Sequence, residues 1–379
     1  MIYVGIDVSK DKHDCCIVNS DGKILADVFT IQNNMDGFKL LFQRLKSVAP
    51  DLNKVKVGLE ATGHYSYNIL SFLLDKDLAT YVLNPLHVNL FRKSTSLRQT
   101  KTDRVDARTI TTMMMSGVVL TSYRNEDLKS LSRYRFDKVQ ERARLKQSVS
   151  RLVCILFPEL EQLFPSLHIA SVSALLSELP GARQIASCHL AHLNKLLLTA
   201  SRGRYGHDKA IEIRDAARKS IGSAMSAKSL ELQHTLRLIR ELDAEIDEIE
   251  NCIKQIMDRL APPIMTIPGI SYRMGAMILS EIGDFSRFSS PDKVLAYAGL
   301  SPSTYQSGKL ENVHAHMEKR GSRYLRYALY NAAKYVCYWD SSFSDYLAKK
   351  RREGKHYNVA ISHAAKKLVR LIYAMEKSK

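Results

Sequence analysis

Lys101-Thr102-Asp103-Arg104-Val105-Asp106-Ala107-Arg108 sets two aspartates three residues apart in a stretch without glycine or proline. Ala107, Arg108, Ile110 and the methionines that follow suit a helix. On a helix, positions i and i+3 share a face, so Asp103 and Asp106 would stand side by side. Two carboxylates on one face repel unless a cation separates them. Lys101, Arg104 and Arg108 surround the pair, which makes a basic site with an acidic centre. That charge pattern suits hard metal ions and a phosphate backbone. Taken alone, such a pair is more often a solvated helix face, so its meaning depends on further carboxylates placed to join it.

The residues upstream predict where those carboxylates come from. Residues 2–7 are an apolar run ending in Asp7, residues 13–19 read as a second strand, and Asn19-Ser20-Asp21-Gly22 is a hairpin turn leading to a third strand over 23–31. Phe38, Leu40, Leu41, Phe42 and Leu45 predict a helix over 35–48. Residues 54–60 alternate and end in Glu60, residues 65–74 suit a helix, and 80–83 a short strand. Three strands, then alternating helix and strand, then the helix with the two aspartates is the order of an α/β ribonuclease-H-like domain. In that order the first strand ends beside the fourth. Asp7 and Glu60 would then emerge together at one sheet edge, with the Asp103/Asp106 helix packed beside them. Four carboxylates there would hold two divalent ions roughly 4 Å apart, suited to activating a water and stabilising the leaving oxygen of a phosphodiester. Read singly, Asp7 is a strand-end turn residue and Glu60 a solvated strand end.

Composition narrows the partners. The 379 residues carry a net charge of +17 and an isoelectric point near 9.5, which favours a polyanion, nucleic acid before an anionic membrane surface. Apolar residues make up 45%, enough for sizeable cores, and no 18-residue apolar run predicts a transmembrane span. The N-terminal residues read as a strand rather than a signal peptide. Cys15, Cys16, Cys154, Cys188, Cys252 and Cys337 form no C-x-x-C pair and no zinc spacing, so reduced thiols in a cytoplasmic, nucleoid-associated protein are expected.

Gly5-Ile6-Asp7-Val8-Ser9-Lys10, Leu59-Glu60-Ala61-Thr62-Gly63 and Lys101-Thr102-Asp103-Arg104-Val105-Asp106-Ala107 resemble, in type, order and spacing, the DEDD transposases of the bacterial IS-one-ten family of insertion sequences. The resemblance implies a RuvC-like N-terminal domain. In it Asp7, Glu60, Asp103 and Asp106 would be the metal ligands, with Mg2+, or Mn2+, as the cofactor.

The middle of the chain reads as helical, over 121–260. Leu145, Val149, Leu152 and Leu156 form an apolar seam within basic surroundings: Arg133, Arg135, Lys138, Arg142, Arg144, Lys146 and Arg151. Acids are scarce there, so backbone contact with nucleic acid is expected, Arg135 and Arg142 included. Residues 161–225 read as a helical insertion or spacer with a short helix near 169–179. From 226 to 260, Leu232, Ile239, Ile246, Ile253 and Leu260 recur every seven residues, and Leu242, Ile249 and Ile256 fill the intervening positions. That a/d seam, broken at Thr235, predicts a coiled coil, within one subunit or between two.

The final third, 261–379, is expected to be a mainly α domain. Ile267-Pro268-Gly269-Ile270 looks like a helix-hairpin-helix turn, which can offer backbone N–H groups to a phosphate or be purely structural. A serine before glycine, Ser307-Gly308, sits in a basic loop. Lys309, Arg320, Arg323 and Arg326 could offset charge on a pentacovalent phosphate. By residue type alone this remains an ordinary loop as readily as a nucleophile. Ile267-Pro268-Gly269-Ile270, Ala298-Gly299-Leu300-Ser301-Pro302, Tyr305-Gln306-Ser307-Gly308 and Lys319-Arg320-Gly321 resemble the same family's C-terminal domain, where a serine before glycine links transiently to DNA. Ser307 is the matching position, with Gln306 where some relatives carry glutamate; Ser301 and Ser303 are the fallback candidates. The resemblance covers about residues 2–160 and 226–340. Residues 345–379 hold ten Lys or Arg against three Asp or Glu and predict a basic terminal helix with Val359, Ile361, Leu368, Leu371 and Ile372 as its stripe.

Together these readings predict a recombinase that moves an insertion sequence, acting on double-stranded donor and target DNA. The resemblance adds a structured guide RNA, a composite site between subunits of a homo-oligomer (dimer or tetramer), and no membrane role. Two alternatives stand beside it: a metal-dependent junction nuclease that uses water, and a non-catalytic nucleic-acid scaffold.

Overall fold

A computed structural model of the chain describes residues 1–60, 63–83, 85–95, 103–116, 126–302, 306–307, 310–311 and 317–378. Contacts divide the chain into two compact units: Met1–Lys129 with Pro262–Lys379, and Ser130–Ala261.

The N-terminal residues form β1 (Ile2–Val8), β2 (Lys12–Asn19), β3 (Ile24–Gln32), α1 (Met35–Val48), β4 (Val55–Glu60), α2 (Ser66–Leu74), β5 (Ala79–Leu83), α3 (Pro85–Thr95) and α4 (Asp103–Met115). The β2–β3 turn closes because the Asn19 side chain accepts from the backbone of Asp21 and Lys23, while Gly22 takes the left-handed conformation, φ +81°. Helix α1 starts at Asn34, whose side chain accepts from Gly37 N at 2.9 Å. Strand order is β3-β2-β1-β4-β5; β1 pairs antiparallel with β2 and parallel with β4. The result is a mixed sheet with helices on both faces.

Val4, Ile6 and Val8 of β1 and Val55, Val57 and Leu59 of β4 bury one face against Phe38, Leu41 and Leu45 of α1 and Ile69, Leu70 and Leu73 of α2. The opposite face belongs to α4. Gly5 and Gly58 are cross-strand partners directly beneath it. A Cβ on Gly5 would lie 2.2 Å from the Ala107 carbonyl oxygen, and one on Gly58 would lie 2.1 Å from the Met114 sulfur. Two adjacent residues without side chains therefore let α4 approach the backbone of the central strands. Leu83, Val88, Ile110, Met113 and Met114 complete this second layer, and Val88 brings in α3.

The second unit contains most of α5 (Glu126–Leu156), then α6 (Leu160–Leu163), α7 (Ala170–Glu178), α8 (Ala182–Ser187), α9 (Leu190–Ala200), α10 (His207–Arg218) and α11 (Ser226–Leu260). Residues 161–225 are more than a spacer: Phe157, Leu175, Leu193 and Ile213 share one buried cluster with Leu152 and Leu232. On α11 the buried seam runs through Leu232, Thr235, Leu236, Ile239, Leu242, Ile246, Ile249, Ile253 and Met257. Ion pairs join α11 to α5 of the same chain. They run Arg135–Glu250, Lys138–Glu245, Arg142–Asp243 and Arg151–Glu231, descending one helix while climbing the other, as in an antiparallel pair.

Residues 262–378 contribute α12 (Tyr272–Ile282), α13 (Pro291–Tyr297), the two-residue strands β6 (Gln306–Ser307) and β7 (Leu310–Glu311), α14 (Arg323–Trp339), α15 (Ser341–Arg352) and α16 (Tyr357–Lys377). Helix α16 is core rather than a free basic tail. It buries Ala360, Ile361, Ala364, Ala365, Leu368, Val369 and Ile372, while Val359 and Leu371 of the expected stripe stay exposed. The Tyr373 hydroxyl donates to the Phe288 carbonyl at 2.6 Å and fixes its end.

Candidate active site

The direction of α4 follows from what it covers. Tyr3 packs against the cluster of Ile110, Met113 and Met114, and Gly5 lies under Ala107 and Thr111. Moving along β1 from residue 3 to residue 5 therefore moves toward the N-terminus of α4. Asp7, on the same side of the strand two residues further, comes to the first turn of α4, which begins with Asp103. Glu60 ends β4 one step beyond the Ile6–Leu59 pairing, so it takes the same side as Asp7. Asp7 and Glu60 thus sit on two adjacent central strands, at their carboxyl ends, under the N-terminus of α4.

Asp106 lies in that first turn and is 7% exposed. Its carboxylate accepts from Arg92 Nη1 at 2.9 Å, and Arg92 Nη2 donates to Asn89 at 2.9 Å. Both partners come from α3, an element the residue pattern did not reveal. Asp14 is a further carboxylate that sequence reading passed over. It pairs directly with Asp7 across β1 and β2, so both side chains take one face. Asp14 is 6% exposed, accepts from the Thr30 hydroxyl at 2.5 Å and faces Lys12 at 3.7 Å. Strand alternation could have flagged it, once the register between β1 and β2 was known.

The donor set fits hard divalent ions, because carboxylate oxygens are their preferred ligands. Among the described residues, no three His, Cys, Asp or Glu already stand as a metal cluster. The backbone of Asp103 and Arg104 opens α4, while Lys101 falls outside the described residues. Arg108 is exposed and ion-paired with Asp27 of β3.

The basic residues expected at nucleic acid divide into two kinds. Arg135 is 7% exposed and bound to Glu250; Arg142 is bound to Asp243. Their guanidinium groups turn to α11 because its acidic flank lies alongside, and sequence reading had judged α5 without that neighbour. Arg326 is half-buried and likewise engaged: Nη1 donates to the carbonyls of Ala298 (3.1 Å) and Lys319 (3.2 Å), bracing the loop around Gly299. Arg320 and Arg323 are exposed, and Arg323 lies over the Tyr324 ring at 4.7 Å. Ser307 closes β6 and pairs with Leu310 of β7. Lys309 lies outside the described residues, as does Ser303. The six cysteines are free, and no helix among the described residues is long and apolar enough to cross a membrane.

A mixed sheet carrying acidic residues at the carboxyl ends of its central strands, in a strongly basic chain, suits an enzyme acting on DNA. Comparison with known families agrees. Residues 4–158 match a transposase family model of the DEDD, IS110 type, and residues 261–348 match the model described as "Transposase IS116/IS110/IS902 family". The chain belongs to the IS110 family of DEDD transposases. It is 23% identical over 376 residues to the pilin gene-inverting protein of Moraxella bovis, covering 98% of this chain and 95% of that one. It is 24% identical over 398 residues to a protein of insertion element IS116 from Streptomyces clavuligerus, covering 100% and 95%. A protein of insertion element IS900 from Mycobacterium paratuberculosis is 24% identical over 386 residues, covering 99% and 95%.

Proposed function

We propose that this transposase excises and inserts an insertion sequence through a ribonuclease-H-like carboxylate site and a serine–DNA intermediate, directed by a structured RNA of the element. The observation that carries the reading is the placement of the first turn of α4, with Asp106, over the strand ends that bear Asp7 and Glu60. The strand order β3-β2-β1-β4-β5 supports the ribonuclease-H-like assignment.

In this reading Asp7, Glu60, Asp103 and Asp106 would hold Mg2+ or Mn2+, which would supply Lewis-acid polarisation of the scissile phosphate. Arg92 orients the Asp106 carboxylate before that. Ser307 Oγ attacks phosphorus, a new P–O bond forms, and the deoxyribose oxygen leaves with a proton. The ester conserves the phosphate bond for rejoining. Exposed Arg320 and Arg323 meet the DNA backbone. The relative named for pilin gene inversion supports cleavage coupled to rejoining rather than simple hydrolysis. Homo-oligomerisation and RNA guidance rest on the family resemblance and the +17 charge.

The test is a trapping assay with Mg2+, flanking RNA and end-labelled junction DNA on a denaturing gel. The expected result is a protein–DNA adduct that Ser307→Ala and Asp106→Asn both abolish. Strand cleavage that survives Ser307→Ala, with no adduct, would instead make the protein a water-using junction nuclease.

A further inference from the structure

Helix α14 buries one face through Leu325, Ala328, Leu329, Ala332, Ala333 and Val336. Its last turn carries three large aromatic rings away from that face. Tyr335 is 58% exposed, Tyr338 77% and Trp339 65%. Spacing of three and four residues puts them on one side of the helix. The Tyr338 and Trp339 rings meet edge to face, 5.0 Å apart. Each ring could have been buried; together they leave a large apolar surface in water at the end of one helix.

A second element makes this surface concave. Pro268-Gly269 presses on α14 at the base of the aromatic turn. A Cβ on Gly269 would lie 2.7 Å from the carbonyl carbon and oxygen of Tyr335, and Gly269 has φ +90°. Only glycine serves there, for both reasons. The turn delivers the N-terminus of α12, capped by Ser271, beside the rings. Between them is a cavity of about 310 Å³ lined by Gly269, Ile270, Ser271, Arg273, Tyr335 and Trp339. That volume is at the lower end for small-ligand clefts, roughly 300–1,000 Å³.

The lining combines two aromatic side chains, an arginine and the N-terminal turn of a helix. A flat aromatic group bearing an anionic phosphate matches this chemistry. A nucleobase offers its face only when it is unpaired, since in a duplex that face is covered by its neighbours. We propose that this cavity binds an unpaired nucleotide of the DNA substrate, with its base stacked on Trp339 and Tyr335 and its phosphate at Arg273 and the α12 N-terminus. The proposal rests on the family's action on DNA, not on the identity of the nucleophile. It gives the C-terminal domain a means to hold a strand that has left its duplex.

Trp339 is the sole tryptophan of the 379 residues, so its fluorescence reports on this cavity and no other. The full chain is titrated with single-stranded oligodeoxythymidylate, a blunt DNA duplex of equal length, and oligouridylate. Binding of each is followed separately by anisotropy of an end label. Quenching of Trp339 by the single-stranded DNA, with little by the duplex, is the expected result. Trp339→Ala should weaken single-strand binding by about five- to a hundredfold, Arg273→Gln should weaken it as well, and Trp339→Phe should restore most of the affinity. Stacking explains that rescue, whereas a folding defect does not. Duplex binding without single-strand quenching overturns the pocket and leaves the DNA reading intact; loss of binding to all three overturns both. Stronger quenching by oligouridylate assigns the site to RNA, and emission that changes with protein concentration alone assigns it to a second copy of the chain. Either of these also overturns the proposal.

Discussion

Arg92 donates to Asp106 at 2.9 Å, and both side chains are largely shielded from water, at 21% and 10% exposure. A guanidinium and a divalent ion would compete for that carboxylate. Removing the guanidinium should therefore favour the ion. Arg92→Leu is expected to tighten Mn2+ binding to the DNA-free protein by about tenfold, or about 1.4 kcal/mol. Calorimetric titration measures this directly. Unchanged or weaker binding would mean that Asp106 is not a ligand.

The glycine pair under α4 makes a graded prediction. At Gly5 the obstacle is backbone, the Ala107 carbonyl; at Gly58 it is the end of the Met114 side chain, which can swing. Gly5→Ala should cost about 1–3 kcal/mol, as overpacking does, and displace the first turn of α4. Gly58→Ala should cost less. Thermal melting of the two variants ranks them, and the reverse order would refute the packing account.

In the helical unit, Arg135 and Arg151 both face α11, yet they differ in burial. The Arg135 side chain is 9% exposed and its partner Glu250 is 30% exposed, whereas Arg151 is 58% exposed. Arg135→Ala should destabilise by about 2–3 kcal/mol, below the roughly 3–5 kcal/mol of a fully buried pair because water still reaches Glu250. Arg151→Ala should leave the melting temperature unchanged. Urea unfolding of both variants checks the difference. Equal losses would show that the ion pair's burial is irrelevant.

His13 is wholly buried, with its ring stacked at 6.0 Å on Phe38. Burial pushes its pKa below the ordinary 6.5, and the nearby charge of Asp14 only partly offsets this. The neutral ring is the folded form. The stabilisation is complete above pH 6.5 and is lost as the pH falls through the lowered value, because the unfolded chain takes up the proton first. Melting temperatures measured downward from pH 7 should fall more steeply for the wild type than for His13→Leu. Parallel curves would remove His13 from the account.

Much of the N-terminal fold was legible because its signals are local. Asn19 to Gly22 build the β2–β3 turn from their own side chains, and β1 to β5 form close to where apolar runs and turn residues placed them. Helix α3 was not legible: Pro85–Thr95 has a weak apolar stripe, and Val88 gains its meaning only from Ile110 and Met113. Helices α8 to α10 stayed hidden for the same reason. Arg135, Arg142 and Arg326 looked like nucleic-acid contacts because sequence shows a charge but not what lies opposite it.

The sequence by itself determined the candidate carboxylates, Asp7, Glu60 and the Asp103–Asp106 pair, and the local strands and helix that hold them. Helical and strand periods specify the face on which each lies, since they depend only on neighbours in the chain. Only the tertiary structure decided that α4 runs with its first turn over the carboxyl ends of β1 and β4, that Asp14 stands across from Asp7, and that Arg92 reaches Asp106. Those relations depend on how closely a helix can approach a sheet and in which direction. Gly5 and Gly58 set that approach, through a contact with residues about a hundred and about fifty positions further along the chain.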